Sequence, residues 1–218
     1  MSLTLYAHPF SSYCQKVLMA LWENGTPFVY RHMEEPGAGE ELAGLWPIRK
    51  FPVLVDGDRT VVETSIIIEY LDLHHPGAVR FLPDDRDAAL EVRLLDRFFD
   101  QYVMNAAQVA VNEALRTDQD RLDEARQSAA RALEVAYAWL EGRLAGRDWA
   151  AGDRFSLADC AAAPSLFYGD WVHPIDDAAY PGLRAYRSRL LARPSFARAV
   201  EEGRRYRSYF PLGAPDRD

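Results

Sequence analysis

The sequence predicts an α/β domain followed by an all-α domain, and three observations carry that reading. Strand and helix signals alternate through the first eighty residues. In FPVLVDGDRTVVET two apolar runs flank Asp56, Gly57 and Asp58, a strong short-range signal for a β-hairpin. Beyond residue 86 the apolar spacing is helical and no strand signal survives. The boundaries read as a first domain over 1–80, a linker over 81–85 and a helical domain over 86–218. With 218 residues, the chain can give each half a core of its own.

The elements follow in order. LTLYAH is a short strand, and KVLMALWENG places Val17, Leu18, Leu21 and Trp22 on one helical face that ends at Asn24 and Gly25. FVYRHM supplies a second strand from the β formers Phe28, Val29 and Tyr30. A loop or short helix leads to the hairpin. SIIIEYLDLHH then sets Ile67, Ile68, Tyr70 and Leu71 at helical spacing and closes on Pro76 and Gly77. The order β, α, β, loop, β, β, α is the thioredoxin-like arrangement. In GAVRFLPDDR proline and charge replace apolar periodicity, as a linker requires.

The second half predicts helices over Leu90–Leu115, Gln119–Leu144, Ser156–Gly169, Leu183–Leu191 and Ser195–Tyr206. FSLADCAAAP opens the third of these with a capping box of Ser156 and Asp159, and Phe155 in front as the staple residue. Ala161, Ala162 and Ala163 suit close helix packing, and Cys160 among them reads as a buried, inert thiol. The tail PLGAPDRD is expected to be loosely held.

Composition narrows the function. A net charge of −8 argues against a nucleic-acid or anionic-membrane partner, because both need clustered positive charge. MSLTLYAHPF carries neither a basic leader nor a long apolar stretch, so a cytoplasmic protein with no membrane span is expected. Cys14 and Cys160 lie far apart, and a chain of this size needs no disulfide, so both are expected as thiols. Lys16 and Lys50 are the only lysines among the basic residues, and no function follows from that ratio.

The stretch SSYCQK poses the chemical question. A redox protein of thioredoxin type carries two cysteines at this spacing where a strand meets a helix. Here Ser11 stands in the place of the first. It is a dead redox site, a site of different chemistry, or a helix cap. Three further motifs bear on the choice: FPVL before the hairpin, ETSIIIEYL at the last helix of the first domain, and SLAD in the second. With SSYC, in this order and over this length, they make the chain resemble the cytosolic glutathione transferase family. The likeness is to a serine-type, bacterial-like member with some resemblance to the zeta and theta classes.

That resemblance implies a site. Pro52 is expected in the cis form, with Phe51 offering its N–H and C=O to the cysteinyl part of glutathione. Glu63 is expected to pair with the glutamyl ammonium. The Thr64 hydroxyl and N–H, at a helix N-terminus, are expected to take the α-carboxylate. Arg49 and Lys50 are the cations for the glycyl carboxylate. An acid from a partner subunit often completes the glutamyl site; Asp100 is a candidate, with a helix-surface charge as its more ordinary role.

A free thiol has a pKa of about 8.5, so the nucleophilic thiolate must be favoured by the site. Ser11, at the start of a helix, is positioned to donate one hydrogen bond to the sulfur without being a covalent nucleophile. Ser12 and Cys14 are the alternates, and Tyr6 in the first strand is disfavoured by spacing. Cys14 is expected about one turn inside the helix and partly buried. The electrophile is expected between Phe10 and Tyr13 on one side and Tyr102, Asn105 and Trp171 on the other.

Glutathione as co-substrate, a small hydrophobic electrophile, a homodimer and no metal complete the implied picture. Two alternatives stand beside the transferase: a zeta-like isomerase of maleylacetoacetate type, and a non-catalytic glutathione- or ligand-binding protein.

Overall fold

A computed structural model describes residues 3–116 and 119–218. Its first domain runs β1 (Leu3–Ala7), α1 (Ser12–Glu23), β2 (Phe28–His32), α2 (Ala38–Leu45), β3 (Val53–Asp56), β4 (Arg59–Val62) and α3 (Thr64–His74). The sheet order is β2-β1-β3-β4, with β1 and β2 parallel and the other pairs antiparallel. Parallel strands need a crossover, which α1 supplies, whereas β3 and β4 need only the tight turn at Gly57, whose φ is 62°. The alternation read in LTLYA is present as burial of Leu3, Leu5 and Ala7.

The helical domain comprises α4 (Arg86–Phe98), a π-helical stretch (Phe99–Met104), α5 (Asn105–Ala114), α6 (Gln119–Leu144), α7 (Leu157–Val172), α8 (Pro181–Leu191) and α9 (Pro194–Gly203), then a 3-10 helix (Arg204–Tyr209). The helix expected over Leu90–Leu115 therefore contains a π-helical interruption, and the one expected over Ser195–Tyr206 changes to 3-10 geometry at Arg204. Helix α7 is buried from Leu157 to Trp171, and its alanines let α1 pack closely against it. No helix among the described residues is long and apolar enough to cross a membrane.

The capping box at α7 does more than start a helix. Asp159 accepts the Ser156 N–H at 2.8 Å, the Ala150 N–H at 2.9 Å and the Tyr186 hydroxyl at 2.6 Å. One buried carboxylate thus ties α7 to the preceding loop and to α8. The linker is pinned as well: Phe81 is wholly buried, donates to Asp72 at 3.1 Å and accepts the Leu157 N–H at 3.0 Å.

The expectation of a loose tail is wrong. Arg217 pairs with the buried Asp170, while Asp218 pairs with Arg204 at 2.8 Å and Arg207 at 3.0 Å. Low hydrophobicity in PLGAPDRD suggested disorder, but its two charged end residues each find a partner of opposite sign.

Helix α1 carries the contact between the domains. It packs on α3 from its own domain and on α7 and α9 from the other. At its centre Lys16, 1 % exposed, places its ammonium 2.5 Å from Asp96, 2.8 Å from Asp100 and 3.0 Å from the Ser65 hydroxyl. Ser65 in turn donates to Asp96 at 2.6 Å. Removing one partner of a buried ion pair commonly costs about 3–5 kcal/mol, because the remaining charge is stranded. Lys16→Met leaves two buried carboxylates facing each other, and burial already pushes Asp100 above its ordinary value. Reversible urea unfolding at neutral pH is expected to show a loss of about 3–5 kcal/mol. Part of it should return as pH falls and the stranded carboxylates take up protons. An unchanged unfolding midpoint in Lys16→Met would show that the cluster is not what holds the domains in place.

Candidate active site

The site is built around the loop from β1 to α1. Ser11 is the N-cap of α1, with extended backbone and a hydroxyl that accepts the Cys14 N–H at 3.4 Å. That is a long bond, and the hydroxyl also reaches the Cys14 sulfur, an interaction that lowers the thiol against the larger effect of burial. The carbonyls ahead of it are held: Gln15 donates to Pro9 O at 2.8 Å, and Tyr168 donates to Phe10 O at 3.0 Å. Gly203 of α9 passes so near that an added Cβ would lie 3.3 Å from Pro9 O. The helical domain therefore fixes the backbone that presents Ser11.

Two cavities lie beside this loop and share Tyr13. The first, about 310 Å³, is lined by Lys50, Phe51, Pro52, Glu63 and Thr64, facing Arg97 and Asp100 from the helical domain. The Phe51–Pro52 peptide is cis, and Phe51 precedes β3 and stays outside its ladder. Glu63 has a φ of 68°, in the left-handed region that non-glycine residues rarely enter. No side chain caps the N-terminus of α3, so its first N–H donors remain free for a ligand. Lys50 and Arg97 against Glu63 and Asp100 give this cavity both signs of charge.

The second cavity, about 250 Å³, is lined by Phe10, Ser11, Ser12, Met104, Tyr168 and Phe210, among others. Among the described residues, its wall carries no charged side chain. Between the two, the Tyr13 hydroxyl donates to Asn105 at 3.1 Å. Burial, with Asp100 adding to it, pushes the Tyr13 phenol up to about 12, so it stays a donor.

Comparison with known proteins decides the family. Residues 5–78 match the family model for the glutathione S-transferase N-terminal domain, and residues 98–194 match that for its C-terminal domain. A solved glutathione S-transferase of Methylobacterium radiotolerans, in complex with glutathione sulfonate, is 33% identical, with a TM-score of 0.76, over 92% of this chain and 95% of that one. The chain belongs to the glutathione S-transferase family. It is also similar to a probable maleylacetoacetate isomerase of Vibrio cholerae, 29% identical over 93% of this chain and 97% of that protein. FtsZ-localized protein A of Caulobacter vibrioides is 30% identical over 88% of each chain.

Within this member of the family several expected site residues lie elsewhere. Trp171 is buried against Phe167 and Phe210, at 4.7 and 5.2 Å between ring centroids, and does not line the cavity beside Ser11. Tyr102 faces outward, 59 % exposed, with its ring tilted against Phe98 instead. Asn105 lines the cavity with Thr64, not the apolar one. Arg49 is exposed and lines neither cavity. Asp100 is not a surface charge but a buried partner of Lys16 at the cavity wall. The Tyr6 hydroxyl is engaged with Glu41 at 3.0 Å.

Sequence reasoning missed Arg97, Met104, Gln108, Tyr168, Tyr209 and Phe210. The run SYFPLG near the chain's end, aromatic and proline-stopped, was the available signal for the last two. Metal-type ligands do not converge in either cavity; among the described residues the one such group is His8, His32 and Glu34, outside both.

Cys14 is wholly buried rather than partly so. Its sulfur accepts the His8 N–H at 3.4 Å, and burial pushes its thiol up to about 12. Cys160 is likewise buried, and burial raises its thiol well above the ordinary value. Iodoacetamide at pH ~8 is therefore expected to leave the native chain unmodified and to add to both thiols in urea, read by intact mass. Rapid native labelling of Cys14 would return disulfide chemistry to the site.

Proposed function

We propose that the chain is a serine-type glutathione transferase in which Ser11 stabilises the thiolate of bound glutathione. One observation carries this reading: a cavity with the chemistry of glutathione's two charged ends adjoins an apolar cavity, and Ser11 stands in the wall of the second beside their shared Tyr13. In it, the free N–H groups of α3 and Thr64 take the glutamyl carboxylate, Glu63 takes the ammonium, Phe51 pairs with the cysteinyl backbone, and Lys50 takes the glycyl carboxylate. Arg97 and Asp100 give the same wall a second cation and a second anion. The solved relative from Methylobacterium radiotolerans, named as a complex with glutathione sulfonate, supports the ligand class.

The glutathione thiol then loses its proton to solvent, and the thiolate accepts a hydrogen bond from the Ser11 hydroxyl. It attacks an electrophilic carbon, forming a C–S bond as the leaving group departs with its electron pair, or adds across a conjugated double bond. Ser12 lines the same cavity one residue on and is the alternate donor.

The similarity to a probable maleylacetoacetate isomerase favours a second reading, addition and release of glutathione on an unsaturated diacid. The cavity lining weighs against it, since a dianionic substrate needs a cation and the described residues of the wall beside Ser11 include none. A non-catalytic binding role would leave glutathione affinity without turnover. We also place the protein in the cytoplasm as a homodimer. Its second copy covers the groove between α3 and α4, where Ile66, Leu73 and Leu90 expose apolar side chains beside the Arg93–Glu69 ion pair.

Three experiments test this. With glutathione and 1-chloro-2,4-dinitrobenzene, Ser11→Ala is expected to lower kcat/KM roughly tenfold to a hundredfold, the scale of one charge-assisted hydrogen bond. Cys14→Ala should keep its turnover, and neutral aromatic electrophiles should outrun maleylacetoacetate-type diacids. Retention on immobilised glutathione is the prior requirement; a chain that does not bind it is not a transferase. Sedimentation of Leu90→Glu is expected to show monomers where the parent chain shows dimers, and a monomeric parent would remove the dimer from the proposal.

A further inference from the structure

His8 opens the loop that ends at Ser11, and its ring is held by an unusual set of contacts. Its Nδ1 accepts the Phe10 N–H at 3.2 Å, and its carbonyl accepts the Ser11 N–H at 3.1 Å. With Nδ1 occupied as an acceptor, the neutral ring carries its proton on Nε2, which faces Glu34 at 3.4 Å. His32 repeats the pattern: its Nδ1 accepts the Glu34 N–H at 3.1 Å, and its Nε2 faces the Tyr206 hydroxyl at 3.2 Å. Tyr206 donates its only proton to Glu34 at 3.0 Å and accepts from His32 and from Arg205. Each Nε2–H and the Tyr206 hydroxyl thus has an acceptor. The Tyr206 ring, 4 % exposed, packs on His8 with centroids 4.6 Å apart.

The same three side chains, His8, His32 and Glu34, bring their ligand atoms within 4.8 Å of one another, a spacing that suits a metal ion. The hydrogen bonds argue otherwise. Coordination through Nε2 moves each ring proton to Nδ1, where the Phe10 and Glu34 N–H donors already point. Metal-bound histidines normally turn their second nitrogen to an acceptor. The donor set fits a proton network and not a metal.

We propose that Tyr206 is a positioning residue for Ser11: through Glu34 and the Nε2–H form of His8 it fixes the backbone that presents the serine hydroxyl to the thiol. This rests on the transferase reading. It also gives the last helical turn of the chain a role in the first domain's chemistry. Gln15 and Tyr168 hold the carbonyls of Pro9 and Phe10, while Tyr206 and Glu34, through His8, hold the Phe10 N–H. The loop is thus gripped from both sides.

The network has a pH sense. Protonating His8 puts hydrogen on Nδ1 against the Phe10 N–H and releases the loop. The groups facing the ring are His32 at the end of β2, Glu34 just beyond it, and Arg205 and Tyr206 of the 3-10 helix, while the Cys14 thiol of α1 accepts the His8 backbone N–H. Burial pushes His8 below its ordinary value, His32 and Arg205 act the same way, and Glu34 opposes them. The arrangement therefore holds through neutral pH and is lost on acidification.

Nitrogen NMR of the free protein near neutral pH is expected to show Nε2–H tautomers for both His8 and His32. A protonated Nδ1 on His8 overturns the network without reference to glutathione. Tyr206→Phe keeps the packed ring and removes the hydroxyl. Its kcat with 1-chloro-2,4-dinitrobenzene is expected to fall roughly threefold to tenfold, the scale of one lost hydrogen bond. KM for glutathione should hold, and the bound thiolate's ultraviolet absorbance should appear at higher pH. His8→Asn, whose amide oxygen can still accept the Phe10 N–H, should recover most of the kcat that His8→Phe loses.

An unchanged kcat and thiolate profile in Tyr206→Phe overturns the proposal. So does equal loss in both His8 variants, and so does stoichiometric zinc binding that His32→Asn abolishes. A parent chain that forms no glutathione thiolate overturns the transferase reading and, with it, any role of Tyr206 in the chemistry. That failure is distinct from a parent thiolate that Tyr206→Phe leaves in place.

Discussion

Everything in the cleft is referred to one buried ammonium. Lys16 sits on α1, the helix that Ser11 caps, and its three partners come from three other places: Ser65 from α3, Asp96 from α4 and Asp100 from the π-helical stretch. Ser65 follows Thr64, and Asp100 lines the wall opposite it. A single cluster therefore sets the distance between the two sides of the charged cavity. Its net stabilisation is small by the usual reckoning, since desolvating buried charges offsets most of their attraction. Apolar burial along α1 and α7 supplies the driving force, and the cluster supplies the register, because only one docking of the domains satisfies all of its groups.

Much of this was legible in the sequence, and for identifiable reasons. The strand and helix order follows from periods of two and about 3.6 residues, which depend only on which side chains are apolar. The hairpin follows from Asp56-Gly57-Asp58, where the chain must turn with positive φ, and the capping box from a local Ser–Asp spacing. Lys50, Phe51, Pro52, Glu63 and Thr64 do line one cavity, each belonging to a short motif whose geometry is local.

What was not legible lies beyond local pattern. Phe99–Met104 is π-helical, and each extra residue in a turn rotates all that follows around the helix axis. Tyr102 and Asn105 were named from element order alone, and past this stretch Tyr102 points out while Asn105 lines the charged cavity. Lys16 read as one rare lysine because its carboxylates lie 80 and 84 positions away. Trp171 lies on a helix buried nearly all round, where hydrophobicity does not mark a direction. The tail was misjudged on composition, although its charges close onto Asp170, Arg204 and Arg207.

The opening puzzle of a serine in a cysteine's place also has a quantitative side. A hydrogen bond to a charged group contributes about 1.5–3 kcal/mol, and one pKa unit is about 1.4 kcal/mol. One hydroxyl therefore lowers a thiol from about 8.5 to roughly 6.3–7.4. A helix N-terminus adds about 0.3–1 kcal/mol in the same direction. Together these bring the thiol to about 5.6–7.2, so that a large share is thiolate at neutral pH with no general base. Ser11 has the hydroxyl, the helix and the fixed backbone that this requires, and its long cap bond to the Cys14 N–H and its contact with the buried Cys14 sulfur are little to give up. Cys14, raised by burial, has neither the charge nor the access. On the proposed reading the substitution of serine for cysteine moves the reactive sulfur from the protein to its substrate, where a weak donor in the right place is enough.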